Sequence, residues 1–243
     1  MAAIELLLSS IPQLINEIKY VIETLITAFP QLMDGLKNTL GLTAFGILLG
    51  TILGIALAIG RSYGKRLLSF FILIYEKVFR GIPLIVLFFL IYFGLAQIGI
   101  RIDAFSAAIL GLGLRSAAYQ AQIFRGAINS IPEGQSTAAY SLGMTKVKAV
   151  QYIILPQVLR LSIPGWSNEF TILLKDTSLA FSIGVIELMR QGRYIQVNKP
   201  DLVLVVFLII ALIYFILVFS ANKILRYVEK KYQMIGYQVE AHR

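Results

Sequence analysis

The sequence predicts an all-α integral membrane protein. About five transmembrane helices follow an amphipathic N-terminal helix, and one short polar helix lies between spans three and four. Three observations carry this. Of 243 residues, 58% are hydrophobic and only 14% are charged, where soluble domains hold about 25% charged residues; the mean hydropathy is +0.78. The apolar residues gather in runs long enough to cross a bilayer. Lysines and arginines collect at the ends of those runs, the pattern of the positive-inside rule.

Composition also excludes several classes of chemistry. There are 0 cysteines, so disulfides and thiolate metal sites are ruled out, and the single histidine, His242, is next to last. Neither metal chemistry nor histidine-based catalysis is expected, and the chain is not expected to be an enzyme. A net charge of +9 would suit a nucleic-acid binder, but the basic residues are already accounted for at the span ends, so no nucleic-acid partner is expected. The N-terminus lacks a basic region followed by a short apolar core, so no cleavable signal peptide is expected. Gly60–Arg66 approaches a phosphate-loop pattern but lacks its four-residue gap and the Ser/Thr after Lys. No cofactor and no nucleotide site are expected.

In chain order, residues 4–29 repeat apolar side chains at Ile4, Leu8, Ile11, Ile15, Ile18, Ile22, Leu25 and Phe29. Steps of three and four form one stripe on a helix. Glu5, Asn16, Glu17, Lys19 and Glu23 occupy the other faces, so residues 1–30 are expected to lie on the membrane surface, with a partner-facing helix as the alternative. Asn38–Gly60 is 23 uncharged residues, about 34 Å of helix. Gly46, Gly50 and Gly54 share one face and invite close helix packing. Arg61, Lys65 and Arg66 mark the cytoplasmic side.

The second span starts near Leu67 and carries Glu76, Lys77 and Arg80 before Gly81-Ile82-Pro83. Glu76 and Arg80 are one turn apart with the acid first, the favourable order for an ion pair. Asp103–Ile128 forms the third span, with Arg115, Tyr119, Gln122 and Gly126 on a polar stripe that cannot face lipid. The fourth span is interrupted by Pro156 and Pro164-Gly165, and backbone broken at membrane depth lines wet cavities. Asn168, Glu169, Lys175, Asp176, Thr177 and Ser178 fall within it and are the candidate substrate-binding residues, together with Arg80. Asn198, Lys199-Pro200 and Asp201 give a cap and helix start. Residues 202–222 are the final span, closed by Lys223, Arg226, Lys230 and Lys231. The N-terminus is expected outside and the C-terminus, with the tail 233–243, in the cytoplasm.

Between spans three and four lies a polar island, Ser130–Pro156. Ser130 and Glu133 stand at capping-box spacing, Pro132 falls in the first turn, and Gly143 suits a left-handed stop. The helix so defined is about 18 Å long, too short to span. Thr137, Ala138 and Ala139 give it a smooth small-residue face, while an ordinary surface helix is the plainer reading.

Thr137-Ala138-Ala139, three residues, Gly143, nine residues, then Ile153-Ile154-Leu155-Pro156 resembles the EAA loop of ATP-binding-cassette importer permeases. Thr137 stands where that family has Glu. Glu76-x-x-x-Arg80-Gly81-x-Pro83 followed by Tyr92-Phe93-Gly94 is similar to the polar amino-acid uptake branch. Ala118-Tyr119 through Phe124-Arg125-Gly126 also resembles that branch, with Gln122 at a position where it commonly has Glu. So does Asn168-Glu169 with Leu174-Lys175-Asp176-Thr177-Ser178-Leu179.

The resemblance covers about Asn38 to the final span and implies a permease domain over residues 31–232. It implies that 130–156 docks on an ATPase through Pro132, Thr137, Ala138, Ala139, Gly143, Leu155 and Pro156. The implied partners are two ABC ATPase subunits, a second permease subunit (a homodimer in preference to a heterodimer), an extracytoplasmic amino-acid-binding protein and membrane lipid. The implied function is import of polar or charged amino acids across the cytoplasmic membrane by alternating access. An ion channel or an integral-membrane enzyme is the alternative.

Overall fold

A computed structural model describes residues 2–232, with side chains described from Ile15 onward. The tail 233–243 with His242, and the side chains of Ile4, Leu8 and Ile11, fall outside the described residues. All regular structure among the described residues is helical.

Helix α1 runs from Ala2 to Tyr63 without interruption, with Pro12 and Pro30 inside it. The amphipathic segment and the first apolar run are therefore one helix. Nothing in Phe29–Lys37 supplies a stop: Gly35 is isolated, and a lone Pro30 removes one backbone bond without ending the helix. The expected stripe is outward-facing, with Ile15, Ile18, Ile22 and Phe29 at least half exposed. The opposite face packs Ala28 and Leu32 against Ile195, Leu202, Val206 and Ile210.

The glycine face of α1 meets helix α5 (Ala104–Ser130). A Cβ at Gly54 would lie 2.8 Å from the Gln120 Cβ and 3.3 Å from the Ala117 carbonyl oxygen. The two backbones can come this close only because the side chains are absent. Alanines 107, 108, 117, 118 and 121 complete the smooth surface on the α5 side.

Helix α2 (Arg66–Gly81) ends where Ile82 turns extended and Pro83 begins α3 (Leu84–Phe89). Proline offers no N–H and forces the preceding residue out of helical conformation. The chain bends by 106° between Arg66–Gly81 and Leu84–Gln97. The expected second span is thus two limbs joined at a corner. A π-helical turn over Leu90–Gly94 leads into α4 (Leu95–Gln97). Asp103 then caps α5, its carboxylate accepting from the Ser106 N–H at 3.0 Å.

Helix α6 (Glu133–Ser141) is followed by α7 (Lys146–Ala149), a π-turn over Val150–Ile154, and α8 (Leu155–Leu161). The π-turn falls just before Pro156, whose ring and missing N–H prevent the regular ladder there. Helix α9 (Ile163–Asp176) continues into a 3-10 turn over Thr177–Ile183. Helix α10 (Leu188–Asn198), a 3-10 turn at Pro200–Leu202 and helix α11 (Val203–Tyr232) close the fold. Asn198 is the last residue of α10, so the cap expected of it before the final span is absent.

By length and composition Ile15–Tyr63 and Pro200–Tyr232 are apolar enough to cross a membrane, and the bent pair makes a third if taken as one span. The main core joins Leu42 and Ile47 of α1, Leu84, Leu87 and Phe88 of α3, Leu112 of α5 and Leu173 of α9. A second cluster holds Ala58, Phe124, Ala127, Ile154 and Val158 together near the C-terminal end of α1.

Candidate functional site

Polar side chains on one side of α5 organise a network within the helix bundle. Arg115 forms an ion pair with Asp176 at the end of α9. The Arg80 guanidinium, from the last turn of α2, lies 4.9 Å from the Tyr119 ring centroid, and that of Arg115 lies 5.2 Å from it. One aromatic ring thus interacts with two cations. Among the described residues no carboxylate stands within ion-pair distance of Arg80.

A second strand of the network runs deeper. The Ser116 hydroxyl donates to Glu169 Oε1 at 2.7 Å, and Gln120 Nε2 donates to Ser116 at 3.0 Å. Thr51 of α1 donates to Gln120 Oε1 at 2.9 Å and accepts from Trp166 Nε1 at 2.9 Å. Glu169 is 6% exposed. Such buried groups remain because each has partners. The Ser167 hydroxyl, by contrast, is buried with no partner.

The predicted site residues divide. Arg80 and Asp176 come together around Tyr119 and Arg115, and Glu169 approaches the same face of α5 through Ser116. Asn168 and Lys175 are exposed. Lys175 and Ser178 line a separate cavity of about 320 Å³ with Met189, Phe207 and Tyr214. Thr177 is fully buried, and its hydroxyl donates to the Leu174 carbonyl, so it presents nothing to a ligand. Ser178 likewise donates to the Lys175 carbonyl.

The expected Glu76–Arg80 pair does not form; Glu76 is 1% exposed and pairs with Arg61 of α1 instead. Arg61 comes from another helix and reaches the buried carboxylate, while Arg80 points to Tyr119. Ser116 gave no sequence signal beyond standing beside Arg115 and one turn before Gln120.

The loop between α5 and α8 holds a short helix, α6, of 9 residues where about a dozen were expected, and it starts differently. Ser130 donates to the Ala127 carbonyl, Pro132 occupies the cap position, and no side chain caps α6. The capping box fails because Ser130 still belongs to the last turn of α5. Gly143 adopts φ +76°, with its N–H bonded to Tyr140 and that of Met144 to Ala139, a Schellman-type stop. Thr137, Ala138 and Pro156 are exposed, Leu155 is half-buried and Ala139 is buried. Leu142 is 80% exposed beside Tyr140 and Val147.

Residues 46–234 match the family model described as the binding-protein-dependent transport system inner membrane component. The chain belongs to this family. It is 43% identical over 174 residues to the probable amino-acid permease protein YxeN of Bacillus subtilis, covering 70% of this chain and 78% of YxeN. With the L-cystine transport system permease protein TcyB of the same organism it shares 36% identity, covering 82% and 86%. With the glutamine transport system permease protein GlnP of Escherichia coli it shares 35% identity, covering 86% and 95%.

In structure it is similar to an amino acid ABC transporter crystallised with histidines, with TM-score 0.77 and 35% identity, covering 85% of this chain and 96% of that one. The MetNI methionine transporter shares the fold at TM-score 0.63 and 23% identity, covering 82% and 97%. This permease is therefore the membrane component of an ABC importer, in which ATP is hydrolysed by a separate subunit. The channel and membrane-enzyme readings give way to that assignment.

Proposed function

We propose that this permease carries polar or charged amino acids inward by alternating access driven by separate ATPase subunits. The observation that carries the proposal is the Arg80–Tyr119–Arg115–Asp176 cluster. Arg115 is ion-paired with Asp176, while the Arg80 guanidinium, with no carboxylate in reach among the described residues, is available for a substrate carboxylate. Glu169 supplies the acceptor for an ammonium, and Asn168 on the adjacent exposed position supplies a hydrogen bond. Lys175 and Ser178 act from the cavity they line with Met189, Phe207 and Tyr214. A buried polar partner such as Glu169 discriminates among ligands, because a wrong ligand leaves it unpaired. The names of YxeN, TcyB and GlnP support the same substrate class.

In this reading five spans cross the cytoplasmic membrane, with the N-terminus outside and the C-terminus in the cytoplasm. Residues 31–232 form the permease unit, and the exposed stripe of residues 15–29 lies against lipid. Helix α6 is the coupling helix. Pro132, Thr137, Ala138, Ala139 and Gly143 shape it, Leu155 and Pro156 fix the chain beyond it, and exposed Leu142 is free to enter a groove of the ATPase. Two ATPase subunits, a second copy of this chain and an extracytoplasmic amino-acid-binding protein complete the assembly.

The test is reconstitution with the ATPase and binding protein in liposomes, with uptake of L-glutamine, L-cystine and L-arginine measured with and without ATP. Uptake of at least one, dependent on ATP, is expected. Equal flux without nucleotide refutes the proposal.

A further inference from the structure

Glu76 is paired to one cation, Arg61, and stands one helical turn from a second, Arg80, in the sequence of α2. Its Oε2 takes Arg61 and, at 3.4 Å, Gln122 of α5. Its Oε1 is buried with no hydrogen-bond partner. An unpaired buried acceptor is costly, and the nearest alternative cation on the same helix is Arg80, one turn away with the acid in the favourable leading position. Among the described residues Arg80 is held by the face of Tyr119 alone.

Arg61 is in turn tied to the cytoplasmic loop. Lys146, at the start of α7, donates from Nζ to the Tyr63 carbonyl at 2.9 Å and lies 5.5 Å from the Tyr63 ring centroid. Tyr63 ends α1 two residues after Arg61. Contacts therefore lead from the segment after the coupling helix, through the end of α1, to Glu76, which stands one helical turn before Arg80 of the substrate cluster.

We propose that Glu76 is shared between Arg61 and Arg80, so that displacement of the α6–α7 loop decides whether Arg80 is free to hold a substrate carboxylate. With Arg61 in place, Glu76 is engaged and Arg80 is available. When the loop draws Tyr63 and Arg61 away, Glu76 takes Arg80, and the substrate loses its anion partner. Glu76 and Arg61 are positioning residues that act through Arg80. The inference rests on the amino-acid importer reading and adds to it the link between the loop and the site.

The test uses the purified permease–ATPase complex, with radiolabelled L-glutamine, L-cystine and L-arginine as probes, and the reconstituted importer for transport rates. Arg61→Gln frees Glu76 to capture Arg80, so amino-acid affinity falls about tenfold, the loss of one charge-assisted hydrogen bond. Glu76→Gln leaves Arg80 permanently free, so affinity holds or tightens while the transport rate falls. A merely structural ion pair predicts weakening in both. In an Arg80→Gln background the two substitutions lose their effect on affinity, the signature of coupled residues.

Lys146→Met, at an exposed position, cuts the tether by which the loop draws Tyr63 and Arg61 away, so affinity is expected to hold while the transport rate falls, with the ATPase still bound. Parallel loss in Arg61→Gln and Glu76→Gln, effects that persist without Arg80, or an unchanged transport rate in Lys146→Met overturns the inference. If the unmodified complex binds none of the three probes, the amino-acid reading itself fails, and the inference fails with it.

Discussion

Arg115 and Asp176 show how charge is carried among apolar helices: each is 24% exposed, and each neutralises the other across two helices. Asp176→Asn leaves Arg115 without its counter-charge, and the loss of a hydrogen bond to a charged group costs about 1.5–3 kcal/mol. A lower thermal midpoint in detergent is expected, with part of the loss recovered in Arg115→Gln/Asp176→Asn. At the opposite extreme of exposure, Asp103 caps α5 by accepting from the Ser106 N–H at 3.0 Å. Asp103→Ala removes that acceptor, and a lost cap costs about 1 kcal/mol. Faster amide exchange in the first turn of α5, with the rest of the helix unchanged, is expected.

Arg115 and Tyr119 were legible in the sequence, because a polar stripe in an apolar helix must face protein. The Glu76–Arg80 spacing misled, because local geometry ranks only local partners, and Arg61, 15 positions earlier in the chain, reaches the carboxylate first.

At the scale of elements, the glycine face of α1 and the stop of α6 bear the sharpest constraints. Gly54→Val would drive carbon into Gln120 and the Ala117 carbonyl, and overpacking of this kind costs about 1–3 kcal/mol. Gly126→Ala, with no atom within 4 Å of its new carbon, should not lower stability in the same thermal assay. Gly143→Val places a branched residue at φ +76°, a conformation costing about 1–2 kcal/mol for an ordinary residue. Loss of ATPase in co-purification, with the helical content retained, is expected.

Both glycine features could be read from sequence, since steps of four and a glycine after a helix have direct geometric meaning. The continuity of α1 could not. The polar residues before Asn38 suggested a separate surface helix, but the other face of that stretch is claimed by α10 and α11, 150 residues and more downstream. The corner at Gly81-Ile82-Pro83 was passed over within a single expected span, and its angle was illegible. The reason is that the packing of α3 on α5 sets its direction.

For the whole molecule, the absence of native cysteine offers a direct test of orientation. A single cysteine at Gly134 should react with an impermeant maleimide only when the cytoplasmic side is open, and one at Arg101 should react from outside in intact cells. Reversed labelling would remove the coupling assignment of α6. The permease family was legible from the loop between α5 and α8 and the motifs around Arg80 and Asn168. The division of candidate residues between the Arg80–Asp176 cluster and the cavity lined by Lys175 and Ser178 was not, because successive positions 175 and 176 on a helix face different neighbours.

The right-angled turn after Arg80 gives the bundle a mechanical advantage. The limb beyond it, Leu84–Gln97, is about 20 Å long. Twisting α2 about its own axis by roughly ten degrees would sweep the far tip of that limb by about 3–4 Å. A small rotation at the root of the corner is thus enlarged at the tip of the limb, far from the side chains on α2 that would set it.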